Sequence, residues 1–140
     1  MTTAAATPVS ASTATPAQPL LAAGGRVLLA AIFVLSGVSK LTAPAATLAY
    51  ITSAGLPLPQ VALAAAILIE LGGGLALIAG YRPRLVALLL AGFSVVTAFA
   101  FHGQLGDQNQ FIHFFKNIAM AGGLMQVAAF GGGRIAIHRD

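Results

Sequence analysis

Hydrophobic residues fall into four long runs separated by short polar or proline-rich breaks, and that pattern predicts the architecture. The runs extend from about Leu20 to Lys40, Val61 to Gly80, Leu85 to Phe101 and Phe111 to Phe130. Each is close to the ~20 residues that a helix rising ~1.5 Å per residue needs to cross ~30 Å of hydrocarbon. The first break, Leu41 to Gln60, holds Pro44, Gly55, Pro57 and Pro59. It reads as a short interfacial helix over Ala45 to Ser53 followed by an extended Gly55–Pro59 turn. Tyr81–Arg84 is a tight turn, and residues 102–110 (HGQLGDQNQ) form a polar loop. The expected fold is therefore all-α: a polytopic membrane protein with a four-helix transmembrane bundle over residues 20–131.

The ends differ from the runs. Residues 1–19 are mainly Ala, Thr, Ser and Pro, with no charge and no large apolar cluster, so they are expected to form a disordered cytoplasmic tail. A secretory signal would place cations ahead of its apolar stretch, whereas the first cation here, Arg26, lies inside the hydrophobic onset. Residues 132–140 read as a short C-terminal tail.

Composition supports the membrane reading. Hydrophobic residues make up 58% of the chain and charged ones only 7%, with a mean hydropathy of +0.91, against roughly 25% charged in a soluble domain. Cysteine is absent, which removes disulfides and thiolate metal sites. The net charge of +4 is spread over helix ends, so nucleic acid is not an expected partner; membrane lipid is. With four spans, Arg26, Arg82, Arg84, Arg134 and Arg139 fall on the side of the termini, and Lys40 and Lys116 on the other. That asymmetry places both termini in the cytoplasm. Small-residue faces such as Gly122–Gly123 accommodate a homo-oligomer without requiring one.

Candidate chemistry begins at Glu70, the only charge in the second run. A carboxylate in hydrocarbon costs ~3 kcal/mol or more, so it must face protein, water or a cation. Ala66, Gly73 and Gly74 share its helical face and invite close approach of another helix. On the first run, Arg26, Ala30, Phe33, Gly37 and Lys40 form one stripe with its cations about 21 Å apart. Lys40 is at a helix end, where it either faces the bundle or snorkels. Lys40, His102, Gln110, His113, Lys116 and Asn117 are all expected near one leaflet. The expected ion pair joins Glu70 to Lys116, or to Arg26 from the other end, beneath a mouth lined by His102 and His113. Such a pair either fixes helix register or handles protons. Ser94 and Thr97 read as packing or back-bonding hydroxyls. Two interfacial histidines do not make a haem or metal site, and no Gly-rich run follows a strand, so neither metal nor nucleotide binding is expected.

The ordered series Arg26, Phe33, Ser36–Gly37, Lys40–Leu41, Gly55–Leu56–Pro57, Glu70–Gly74, Gly80, Arg84, Phe101–His102, Phe114, Lys116–Asn117 and Gly122–Gly123 resembles the DoxX family over about residues 22–131. The resemblance implies a bacterial four-helix inner-membrane protein, with Arg26, Lys40, Glu70 and Lys116 at the family's charged positions. Some relatives are small subunits of quinone-linked oxidoreductases, so it also implies quinone as a lipophilic cofactor and a soluble or membrane redox subunit as partner. No covalently bound cofactor is expected, and no catalytic residue is assigned. Two other readings stay open: a small transporter or lipophile-binding protein, and a structural membrane subunit.

Overall fold

The computed structural model describes Thr15 and residues 17–138, and among them it is all-helical with no strand. Most of the expected N-terminal tail lies outside the described residues. Helix α1 (Gln18–Thr42) begins two residues before the expected boundary, with a proline in its first turn. The short interfacial helix is α2 (Pro44–Ser53). The second run forms one rod, α3 (Pro59–Ala79), and the third forms α4 (Pro83–Phe101). The last helix, α5 (Gln108–Phe130), begins where the Asp107 side chain accepts a hydrogen bond from the Gln110 backbone N–H at 2.9 Å. That contact satisfies one of the donors a helix start leaves free.

Prolines set the helix starts after the two tight turns. Among the described residues, Leu58 and Arg82 are the non-glycine residues with left-handed backbones, at φ 50° and 41°, and each immediately precedes the proline that opens a helix. α3 ends at Gly80, whose φ of 70° lets Tyr81 N–H reach back to Ala76 O at 2.9 Å. This is the glycine-dependent stop that closes the open carbonyls of a helix end.

Helices α1, α3 and α4 are long and apolar enough to cross a membrane. Their outward faces are apolar too: Leu28, Leu35, Leu68, Leu89, Val96 and Phe99 are exposed. In water such a surface would be an aggregation hazard, whereas lipid solvates it at no cost. α5 has 23 residues but does not meet the same apolar criterion among the described residues, because Gln110, His113, Lys116, Asn117 and Gln126 interrupt it. It nevertheless runs antiparallel along α4. Gln110 at its start meets His102 at the end of α4, and a Cβ placed on Gly131, just past its end, would lie 3.5 Å from Arg84.

The core is small and made of interlocked apolar residues from four helices: Ala30 and Phe33 on α1, Leu77 on α3, Ala87, Leu90 and Ala91 on α4, and Ala121 and Leu124 on α5. α1 and α3 approach most closely at glycines. A Cβ on Gly74 would meet Val34 N at 3.2 Å and Ala30 O at 3.3 Å, and one on Gly37 would meet Leu71 Cγ at 2.6 Å. Of the small residues around Glu70, Gly74 admits α1, while Gly73 admits α4, where a Cβ would lie 2.9 Å from Leu90 Cδ2. Gly123 packs against Leu29, while a Cβ on Gly122 would meet nothing within 4 Å.

Residues 131–138 do not form a free tail. Ile137 N–H and His138 N–H donate to Ala79 O and Gly80 O at 3.2 and 3.1 Å, laying the segment across the end of α3.

Candidate functional site

The site is built around a break in α3. Between its two α-helical parts, Leu68–Gly72 form a π turn with Glu70 at its centre. A π turn inserts one residue into a helix, widens the hydrogen-bonded ring and occurs often where a side chain must be redirected. Gly72 closes the turn and Gly73 and Gly74 follow it, giving this stretch little side-chain packing of its own to oppose the distortion. None of α3's first nine residues is buried, yet Glu70 is 5% exposed. The π turn thus aims the carboxylate inward.

Its partner is Lys40. Lys40 Nζ lies 2.9 Å from Glu70 Oε2 and 3.1 Å from Oε1, so the ammonium straddles the carboxylate. The hydrogen-bond geometry is good only at Oε1, and Oε2 is held by charge proximity alone. Ser36, one turn before Lys40, completes the cluster: its Oγ accepts from Lys40 Nζ at 2.7 Å and donates to Glu70 Oε1 at 3.2 Å. The expected pairing of Glu70 with Lys116 or Arg26 is therefore corrected. The glycine contacts place α1 beside the π turn, which brings Lys40 to the carboxylate. Ser36 went unassigned as a site residue, although its i, i+4 spacing to Lys40 put both on one face.

Arg26 is at the opposite end of α1 and does structural work there. It is 3% exposed and donates to Ile78 O at 3.3 Å, to Ile135 O at 2.7 Å and to Gly132 O. One guanidinium thus joins α1, the end of α3 and the C-terminal segment. Its planar fork suits several carbonyl acceptors at once, which a lysine would not serve equally.

Of the remaining candidates, His102, Gln110, His113 and Lys116 form one chain of contacts. His102 Nδ1 lies 2.8 Å from Gln110 Oε1, and its ring stacks on that of His113 with centroids 5.1 Å apart. His113 Nδ1 lies 3.0 Å from Lys116 Nζ. If the lysine is charged it has only protons to offer, so His113 Nδ1 accepts; likewise His102 Nδ1 donates to the Gln110 oxygen. Ser94 and Thr97 turn their hydroxyls back to Leu90 O and Phe93 O at 2.9 and 3.0 Å, as their positions in an apolar helix suggest.

These groups border a cavity of about 850 Å³ between α1, α2, α4 and α5, with α3 forming its back wall. Glu70, Lys40, His102, Lys116 and Asn117 all reach it, and Phe33, Phe93 and Met120 give it apolar walls. His113 and Gln110 stand behind the wall and touch the cavity only through Lys116 and His102. Tyr50 was also missed as a lining residue; it stacks on Phe101 at 5.3 Å and brings α2 against the mouth. The volume falls in the ~300–1,000 Å³ range of small-molecule sites, and the mixture of apolar wall with a few polar groups is typical of them.

Comparison with known proteins shows the family. The DoxX family model matches residues 21–103, covering α1 to α4 and the buried pair. The chain is 38% identical to the inner membrane protein YqjF of Escherichia coli over 117 residues, covering 81% of this chain and 86% of that protein. It is 29% identical to the inner membrane protein YphA of the same organism over 128 residues, covering 88% of this chain and 91% of that protein. No solved structure matches the chain. With its apolar spans and these relatives, the chain belongs to the DoxX family of multi-pass inner-membrane proteins.

Proposed function

We propose that this protein is a four-helix inner-membrane subunit that holds a lipophilic, carbonyl-bearing molecule of the quinone class for a separate redox protein. The observation that carries this reading is the cavity, in which apolar walls end in the Lys40–Glu70 pair and in the donors of His102, Lys116 and Asn117. A quinone needs a flat apolar slot and hydrogen-bond donors at its oxygens, and the lining residues fit both demands. Electron-carrying capacity would come from the ligand. The chain's own residues bind it, orient it and keep a protonatable carboxylate, Glu70, in contact with the same space. A structural subunit would have no need of a cavity this large beside its buried ion pair.

α5 serves as the fourth span in this reading. Its length and its end-to-end antiparallel run along α4 support that role, and two of its polar residues, Lys116 and Asn117, border the cavity. Both termini then lie on the arginine-rich cytoplasmic side, with residues 102–110 opposite.

The test is to purify the protein from native membranes in mild detergent, identify co-purifying proteins and lipophiles by mass spectrometry, and titrate it with a short-chain ubiquinone analogue. A redox protein in fixed ratio and saturable analogue binding are the expected results. Saturable analogue binding without a redox partner would replace this reading with transport or lipophile carriage. If neither appears, the structural reading stands.

A further inference from the structure

The charge lining the cavity does not balance. Apart from the phenol of Tyr50, its ionisable wall consists of Lys40, Glu70, His102 and Lys116. Lys40 and Glu70 neutralise each other at 2.9 Å. Lys116 has an imidazole nitrogen, His113 Nδ1, at 3.0 Å, and among the described residues no carboxylate pairs with it. Asp107 caps α5 through the Gln110 N–H and is not part of the wall.

Lys116 thus sets an ammonium on the cavity wall with no described carboxylate beside it. Lys116 lies five residues past the start of the apolar run at Phe111, about 7.5 Å along the helix, and its side chain is exposed at the protein surface while also bordering the cavity. A cation inside an apolar segment costs several kcal/mol unless something brings the opposite charge. Among the described residues no carboxylate does so, yet the group borders a cavity in which Asn117, the next residue, adds an amide that both donates and accepts. The apolar walls at Phe33, Phe93 and Met120 would accept the body of a ligand whose head is charged.

We propose that the cavity binds its ligand as a lipophilic monoanion, with one anionic oxygen set against Lys116 and the apolar body along the aromatic wall. This rests on the cavity being a lipophile site and specifies the ligand's charge. For a molecule of the quinone class, it means that a ring bearing an ionised hydroxyl is preferred over the same ring without charge.

Two probes of nearly equal shape separate the ideas: a 2-hydroxy-3-alkyl-1,4-naphthoquinone, ionised at neutral pH, and its neutral 2-methoxy ether. Binding of each to the full chain in detergent is measured by calorimetric titration. The hydroxy compound is expected to bind about 10- to 100-fold more tightly than the ether, the worth of one charge-assisted contact. In Lys116→Gln that ratio should collapse toward one, and in Lys116→Arg it should persist. Equal affinities in the unaltered protein, or a ratio that survives Lys116→Gln, overturn the anion assignment while leaving a lipophile site in place. Failure of both probes to bind overturns the site itself.

Discussion

Lys40 and Glu70, thirty residues apart in sequence, hold each other at 2.9 Å, and Ser36 bonds to both. This contact ties the end of α1 to the π turn of α3. Either side chain alone would be a charge facing an apolar wall. A double-mutant cycle should reveal the coupling in thermal unfolding in detergent. Glu70→Gln and Lys40→Met should each cost about 1–3 kcal/mol. The double change should cost less than their sum by about 0.5–3 kcal/mol. The same cycle with Lys116→Met in place of Lys40→Met should be additive, and coupling there would argue for a different partner in the membrane.

The pair depends on how closely the two helices approach, and the glycines differ in this respect. A Cβ on Gly74 would press on backbone atoms of α1, at Val34 N and Ala30 O, whereas one on Gly72 would meet nothing within 4 Å. Gly74→Ala should therefore destabilise by about 1–3 kcal/mol, the usual cost of overpacking. Gly72→Ala should be neutral or stabilising by up to about 1 kcal/mol, because alanine favours helix. Thermal denaturation of the two variants side by side decides the matter; equal effects would mean that the triplet matters for flexibility and not for contact.

The carboxylate's inward face was legible in the sequence because small residues recur at helical spacing around it. Its partner was not. Antiparallel helices that are apolar on most faces carry little record of their mutual register, and the π turn at Leu68–Gly72 adds a residue that turns the downstream face by about 100°. Lys40 at the end of a run also looks like an interfacial lysine. That His102 and Gln110 could meet was legible, because the end of one run and the start of the next antiparallel run are joined by a short loop. The docking of residues 131–138 was not, because it consists of backbone hydrogen bonds and carbonyls received by Arg26, which leave no side-chain pattern in the segment itself.

That docking makes Arg26 a test of its own. Arg26→Met removes the donors to Ile78 O, Gly132 O and Ile135 O and should cost about 2–3 kcal/mol, within the range for a hydrogen bond to a charged group. The loss should be local. Hydrogen exchange at the backbone N–H groups of Ile137 and His138 should speed up before the rest of the protein responds. Unchanged exchange there would mean that the segment is held without the guanidinium.

His102 and His113 stack as a pair, but only His102 reaches the cavity. Their alanine variants should therefore differ. His102→Ala should weaken binding of a ubiquinone analogue by about 2- to 10-fold through loss of a donor or acceptor. His113→Ala should leave the neutral analogue's affinity nearer the unaltered value, acting only by freeing Lys116 from its 3.0 Å contact. Titrations of both variants give the ranking, and a larger effect at His113 would move the binding groups off the cavity wall.

Orientation can be read directly because the chain has no cysteine, so any single cysteine introduced is the only reactive thiol. Gln104→Cys lies in the polar loop between α4 and α5, and Tyr81→Cys in the turn between α3 and α4. Residues 137 and 138 bond to the carbonyls at the end of α3, so Ile137→Cys belongs on the side of Tyr81. If the arginine-rich face is cytoplasmic, a membrane-impermeant maleimide applied to intact spheroplasts should label Gln104→Cys and spare the other two until the membrane is broken. The reverse pattern would turn the bundle over and place the end of the cavity marked by His102 toward the cytoplasm. Labelling of Gln104→Cys and Ile137→Cys together, with Tyr81→Cys protected, would separate the C-terminal segment from the end of α3 and contradict the packing described above.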